Sequence, residues 1–130
     1  MPPLINYPPH NIRVTFDNSP NNARSESSIS INPLNPYNMV AGSKRFTNPS
    51  MYEFSLAIYT TFDGGETWVE PTLQLSPGWA GTSDPAVAWD NMGNAYLVAL
   101  PFGPGKDTPL VGIAIYKSPE IGRASRRERV

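Results

Sequence analysis

Two acidic residues occupy the same place in two similar stretches of this chain, Glu26 in "SESSISIN" and Asp84 in "SDPAVAWD". Arg24 and Trp79 stand shortly before them in the sequence, and Arg45 lies in the stretch between. A carboxylate can act as a general acid, or it can bind hydroxyls and cations. A guanidinium can grip a substrate carboxylate with two parallel hydrogen bonds. An indole offers a flat apolar face on which a ring can stack. These five are the candidate ligand-facing residues. The competing role for Glu26 and Asp84 is structural, each carboxylate accepting backbone N–H bonds at a strand start. Recurrence favours the scaffold role, because a catalytic group is needed once and a scaffold group in every repeat.

No residue set is assigned as catalytic. The lone histidine, His10, lies among prolines and reads as exposed. Cysteine is absent, which excludes disulfides and thiolate metal sites. No pattern calls for a metal or a cofactor.

A second group, in "TTFDGGETW", raises the same question of chemistry against structure. Asp63 can accept bonds from turn amides that would otherwise be unpaired. Gly65 supplies backbone freedom that a side chain would oppose. Thr67 favours the extended conformation, and Trp68 offers apolar area for the wedge between neighbouring units. A calcium loop needs several closely spaced oxygen ligands, and only Asp63 and Glu66 are at hand. The expected role is to hold a turn.

Such groups must be positioned by short strands. Fifteen prolines and ten glycines in 130 residues argue against long helices. The chain also repeats itself. "SLAIYTT" at 55–61 returns as "GIAIYKS" at 112–118, and "NMVAGS" at 38–43 parallels "NAYLVA" at 94–99. With the acidic stretches, that makes three markers in one order at a nearly constant offset. The first unit is predicted to hold strands at 27–32, 38–43, 54–61 and 67–74. The second holds strands at 86–90, 95–100 and 110–117, with its fourth missing. A further outer strand is expected at 11–16. Radially repeated four-stranded units of this length are β-propeller blades. The predicted fold class is therefore all-β, antiparallel four-stranded blades of an incomplete propeller with under two blades present. The parts are an N-terminal segment at 1–24, a first blade at 25–82, a truncated second blade at 83–119 and a tail at 120–130.

The turn motif resembles the Asp-box, or bacterial neuraminidase repeat, of pattern Ser/Thr-x-Asp-x-Gly-x-Thr-Trp. Thr61, Asp63, Gly65, Thr67 and Trp68 match each defined position. The resemblance implies a fragment of a bacterial sialidase-like glycoside hydrolase, retaining and acting on glycans, secreted or at the cell surface. It also implies an active site on the face opposite the Asp-box. That face would receive Arg24, Ser25 and Glu26, then Ser83 and Asp84. The loops between second and third strands would add Lys44, Arg45, Phe46 and Tyr52, then Phe102, Lys106 and Asp107. The family's Arg-Ile-Pro motif is absent, and its Tyr-Glu pair would belong to later blades. The alternative is a non-catalytic propeller that binds glycan or protein, or serves as an assembly scaffold.

The stretch "EIGRASRRERV" differs in character and resembles a translated sequencing adapter with arginine at 126 in place of cysteine. It is read as non-native. Without its four arginines and two glutamates, 6 basic and 9 acidic residues remain, a net charge of −3. Scattered basic residues give no footprint for nucleic acid. No apolar run approaches the roughly 20 residues that span a bilayer, and no signal peptide is expected in "MPPLINYPPH". The expected partners are glycans and the remaining blades of a longer chain, or another copy of this one.

Overall fold

The computed structural model describes residues 11–19, 21–71, 73–104, 112–118 and 128–129. His10, Lys106, Asp107 and most of the stretch read as foreign lie outside them. The described chain is all-β, in two antiparallel sheets that do not close into a barrel. The first contains β1 (Arg24–Ile31), β2 (Met39–Asn48) and β3 (Glu53–Thr61), in that order. A 3-10 turn at Pro49–Met51 joins β2 to β3. The second contains β4 (Gly81–Trp89), β5 (Ala95–Phe102), β6 (Ala114–Ser118) and the two-residue β7 (Glu128–Arg129).

The strands follow from alternation. In β5, Ala95, Leu97 and Ala99 are buried while their neighbours are not, as a half-buried strand requires. In β1 the serines Ser28 and Ser30 alternate with Ile29 and Ile31. The sheets stack face to face. Val40, Leu56 and Ile58 of the first sheet share one core with Ala95, Leu97, Ala99 and Ala114 of the second. Leu73, Trp79, Val87, Trp89 and Tyr116 pack around it. At Gly42 the sheets approach closely: a methyl group there would lie 3.3 Å from Leu97 and 3.4 Å from Pro85. Two hydrogen bonds cross the contact. The Val87 N–H donates to Ser28 Oγ at 3.3 Å, and Trp89 Nε1 donates to the Ser30 carbonyl at 3.1 Å.

Three expectations are corrected. Residues 11–16 form no strand. The Arg13 guanidinium turns back on its own segment instead, donating to the carbonyls of Thr15 and Asp17. The strand expected at 67–74 is reduced to one bridge, Val69 exchanging two 2.9 Å hydrogen bonds with Thr60. Pro71, two residues on, has no N–H to continue a ladder. The first sheet thus has three strands, not four. The second sheet's fourth strand, β7, comes from the stretch read as foreign and pairs Arg129 with Tyr116 and Glu128 with Lys117.

The strand starts also moved. β1 begins at Arg24 and β4 at Gly81, earlier than the alternation alone predicts. The reason is a bulge in each. Pairing with the neighbouring strand breaks between Ser25 and Ser28 in β1, and between Ser83 and Ala86 in β4. An extra residue disrupts the two-residue period and hides the strand beyond it.

Gly81 faces the Phe102 ring so closely that an added methyl would lie 2.4 Å from ring carbon Cζ. That ring is itself packed on Phe54 at 5.2 Å between centroids. Gly81→Ala should therefore cost about 1–3 kcal/mol through overpacking. Urea unfolding of the single and double variants checks this: with Phe102→Ala present, the added cost of Gly81→Ala should largely vanish.

Candidate functional site

The two ends of the sheets differ in kind. At one end lie the β1–β2, β3 and β4–β5 turns. Here Thr61 Oγ1 accepts the Gly65 N–H at 2.9 Å and donates to Asp63 Oδ1 at 2.8 Å. Asp63 in turn accepts the Thr67 N–H at 2.9 Å and the Thr67 hydroxyl. Trp68 Nε1 donates to the Gly65 carbonyl at 2.9 Å, so the indole folds back on its own turn. Gly65, at φ 95°, makes this closure possible. The turn is tied to its neighbour by the Gly64 N–H on the Tyr37 carbonyl and by Asn38 Nδ2 on the Thr61 carbonyl, both 2.9 Å. Asp63 has every oxygen engaged in holding the turn.

Asp90 does the same for the β4–β5 turn. It accepts the N–H groups of Met92 and Asn94 at 2.9 Å, the Asn94 amide at 2.7 Å and the Tyr96 hydroxyl at 2.9 Å. The strands predicted at 86–90 and 95–100 imply a turn here without singling out Asp90 as its centre; the Asp followed four residues later by Asn was the available signal.

At the opposite end are the starts of β1 and β4, the β2–β3 connection and the end of β5. Arg24, Glu26, Arg45 and Asp84 are all delivered there, in two clusters on opposite faces of the first sheet. On one face Arg24 and Arg45 both bind Asp17, the Arg45 contact measuring 3.5 Å. Arg24 Nε also donates to the Tyr59 hydroxyl at 2.7 Å, which meets Ser43 Oγ at 3.0 Å. Arg45 reaches Glu70 at 3.1 Å. Two cations meet two carboxylates, and Arg24 holds the Asp17 carboxyl below its ordinary range. Asp17, Tyr59 and Glu70 were not foreseen; nothing local in the sequence marks them as partners of residues 7 to 35 positions away.

On the other face Lys44 is buried, its side chain only 6% exposed, and its ammonium meets Glu26 Oε1 at 2.8 Å. The ammonium also lies 4.4 Å from the centre of the Phe54 ring and 5.6 Å from that of Tyr52. The hydrogen bond to Glu26 raises the Lys44 pKa against the opposing effect of burial. Reciprocally, Lys44 lowers the Glu26 pKa, with further help from the side chain and backbone of neighbouring Asp84. The Lys44 ammonium thus pairs with Glu26, and Asp84 adjoins Glu26. Phe46, Tyr52, Phe54 and Phe102 form a continuous aromatic group, with successive centroids 5.2–5.5 Å apart for Phe46–Tyr52, Tyr52–Phe54 and Phe54–Phe102.

Glu26, Asp84 and Tyr52 are the non-glycine described residues with positive φ, each at 54°. A left-handed backbone is costly for such side chains and persists only where surroundings enforce it. Glu26 and Tyr52 border Lys44, and Asp84 borders Glu26. Trp79 is half-buried and packs against the shared core. A cavity of about 270 Å³ lies between Ser55, Leu56 and Ala57 of β3 and the 70–75 segment, where the fourth strand was expected. Among the described residues no group of three or more His, Cys, Asp or Glu could hold a metal ion. Among the described residues no helix is long and apolar enough to cross a membrane. No family model, curated protein or solved structure matches the chain.

Thr61→Val should cost about 1–3 kcal/mol by leaving the buried Gly65 N–H unpaired, measured as a shift in the unfolding midpoint. Hydrogen bonds from Thr67 first, and Asn94 first, lower the pKa of Asp63 and Asp90 from 3.8 to about 2. A depressed carboxylate stabilises the fold above its unfolded pKa and loses that contribution as pH falls toward the folded value. The melting temperature should therefore drop between about pH 4 and pH 2, and Asp63→Asn with Asp90→Asn should flatten that part of the profile.

Proposed function

We propose that this chain is part of an Asp-box β-propeller of the sialidase-like kind, and that the end carrying Glu26, Asp84, Lys44 and Tyr52 binds glycan. The propeller reading is supported by the two stacked sheets, which have matching registers. Ser28 pairs with Gly42 and Ala86 with Val98, while Tyr59 pairs with Ala41 and Tyr116 with Leu97. The bulges fall at corresponding positions, and the complete Asp-box pattern closes the first unit.

The glycan reading is carried by one observation: two side chains on a left-handed backbone, Glu26 and Tyr52, meet a buried lysine beside an aromatic group, and a third, Asp84, adjoins Glu26. Carboxylates accept sugar hydroxyls as bidentate acceptors. The Tyr52 ring, 65% exposed, offers an apolar face on which a sugar ring can stack. Hydrolysis is the second reading, favoured by the Asp-box match. It ranks below binding because Arg24 and Arg45, the arginines positioned at this end, are already paired with Asp17 and Glu70.

Saturation-transfer NMR with sialyllactose and lactose should detect binding to the folded chain. Tyr52→Asn, which keeps a residue tolerant of the left-handed backbone, should weaken binding roughly two- to tenfold, the size of one aromatic contact. Asp84→Asn should also weaken it. Absence of transfer to either sugar, or transfer unchanged in both variants, rules the glycan reading out. Turnover of a fluorogenic sialoside by the chain would promote hydrolysis over binding.

A further inference from the structure

One edge of the Arg45 guanidinium is unused. Its Nη1 donates to Glu70 at 3.1 Å, and its Nη2 meets Asp17 at 3.5 Å. Its Nε is shielded from solvent and has no acceptor among the described residues. A buried donor without an acceptor is costly, and native structures fill such gaps with a partner or a water. Arg45 also lines the cavity of about 270 Å³ beside β3, as does Glu70.

The lining divides by chemistry. Arg45 and Glu70 bring opposite charges, and Leu56, Pro71, Leu73 and Leu75 bring apolar surface. The volume falls just below the roughly 300–1,000 Å³ of pockets that hold drug-sized ligands, so the occupant is small. Charge narrows its class further. A simple carboxylate can accept from Arg45 Nε but meets the Glu70 carboxylate. A simple ammonium can pair with Glu70 but meets Arg45. A zwitterion escapes both conflicts, since each of its charges has an opposite partner. The Arg45 and Glu70 side chains are 38% and 30% exposed, so a charged head group here keeps part of its hydration.

We propose that this cavity binds a free aliphatic α-amino acid. The ligand carboxylate accepts the Arg45 Nε–H, its ammonium pairs with Glu70, and its side chain lies against Leu56, Leu73 and Leu75. The walls all belong to this chain, so neither a second copy nor further blades are needed. The site is separate from the Lys44 cluster, which occupies the other face of the first sheet, and it does not rest on the glycan reading.

Methyl NMR of the intact chain, titrated with L-leucine, provides the test. Leucine should bind with a Kd of about 1 mM or tighter. The largest shifts should fall on the methyls of Leu56, Leu73 and Leu75, with Leu34 at the turn end unmoved. Isocaproate lacks the ammonium and isoamylamine lacks the carboxylate, and each should bind roughly tenfold more weakly. Arg45→Lys keeps the charge but removes the Nε–H, and should weaken leucine roughly tenfold. Glu70→Gln should weaken leucine yet strengthen isocaproate, a reversal that damage to the fold cannot produce. Circular dichroism matching the parent establishes that the variants fold; if either does not, the analogue series on the parent chain decides. No shift up to about 10 mM leucine overturns the proposal and leaves the cavity to ordered water. Shifts centred elsewhere, an analogue that binds as tightly as leucine, or a folded Glu70→Gln variant without the reversal overturns it equally.

Discussion

Gly42 is the pivot of this structure. Three residues of the second sheet, Leu97, Pro85 and Val87, crowd onto it, the farthest of them 3.6 Å from where a side chain would begin. With the sheets held that close, Val40, Leu56 and Ile58 find partners in Ala95, Leu97 and Ala99, and the shared core becomes continuous. The alanines are a consequence of the same closeness, since larger residues on β5 would push the sheets apart. Lys44 follows as well. Its position two residues along β2 from Gly42 puts it on the inward face, where burial of an ammonium is tolerated only with a carboxylate and a polarisable ring beside it. Glu26 and Phe54 supply both.

The division between the two ends is then a division of labour. At the turn end, Asp63 and Asp90 spend their oxygens on amides and hydroxyls a few residues away, and neighbouring turns are linked to one another. These interactions are local in sequence and short in reach. At the other end, ion pairs join residues far apart in the chain, and three side chains are carried on a left-handed backbone. Local, mutually satisfied turns thus gather at one end, and long-range ion pairs with left-handed residues at the other.

What could be read from the residues alone follows the same line. The turn motif was legible because Thr61, Asp63, Gly65, Thr67 and Trp68 interact within eight residues. The strand middles were legible because serine alternates with isoleucine in β1, and because the two units repeat each other's pattern. The strand starts were not, since the bulges at Glu26 and Asp84 interrupt the period that reveals a strand. Delivery of Arg24, Glu26, Arg45 and Asp84 to one end followed from antiparallel topology. Their partition into an Arg–Asp cluster and a Lys–Glu cluster depended on which face each side chain takes, and the role of Asp17 on a contact with no local trace. The strand expected at 67–74 failed because its β-rich composition lacks the N–H of Pro71.

The paired bulges have a consequence for how such a chain can change over time. A strand without interruption couples every residue to one alternation, so altering its start disturbs the facing of its middle. Here the extra residue at Glu26, and again at Asp84, breaks that coupling. The segment before the bulge can exchange one charged side chain for another, or shift which face it presents, while Ser28 to Ile31 and Ala86 to Trp89 keep their packing. The bulge acts as an insulator between inheritance of the fold and innovation at the surface, and a unit carrying it can be duplicated and then specialised at one end without being redesigned at its centre.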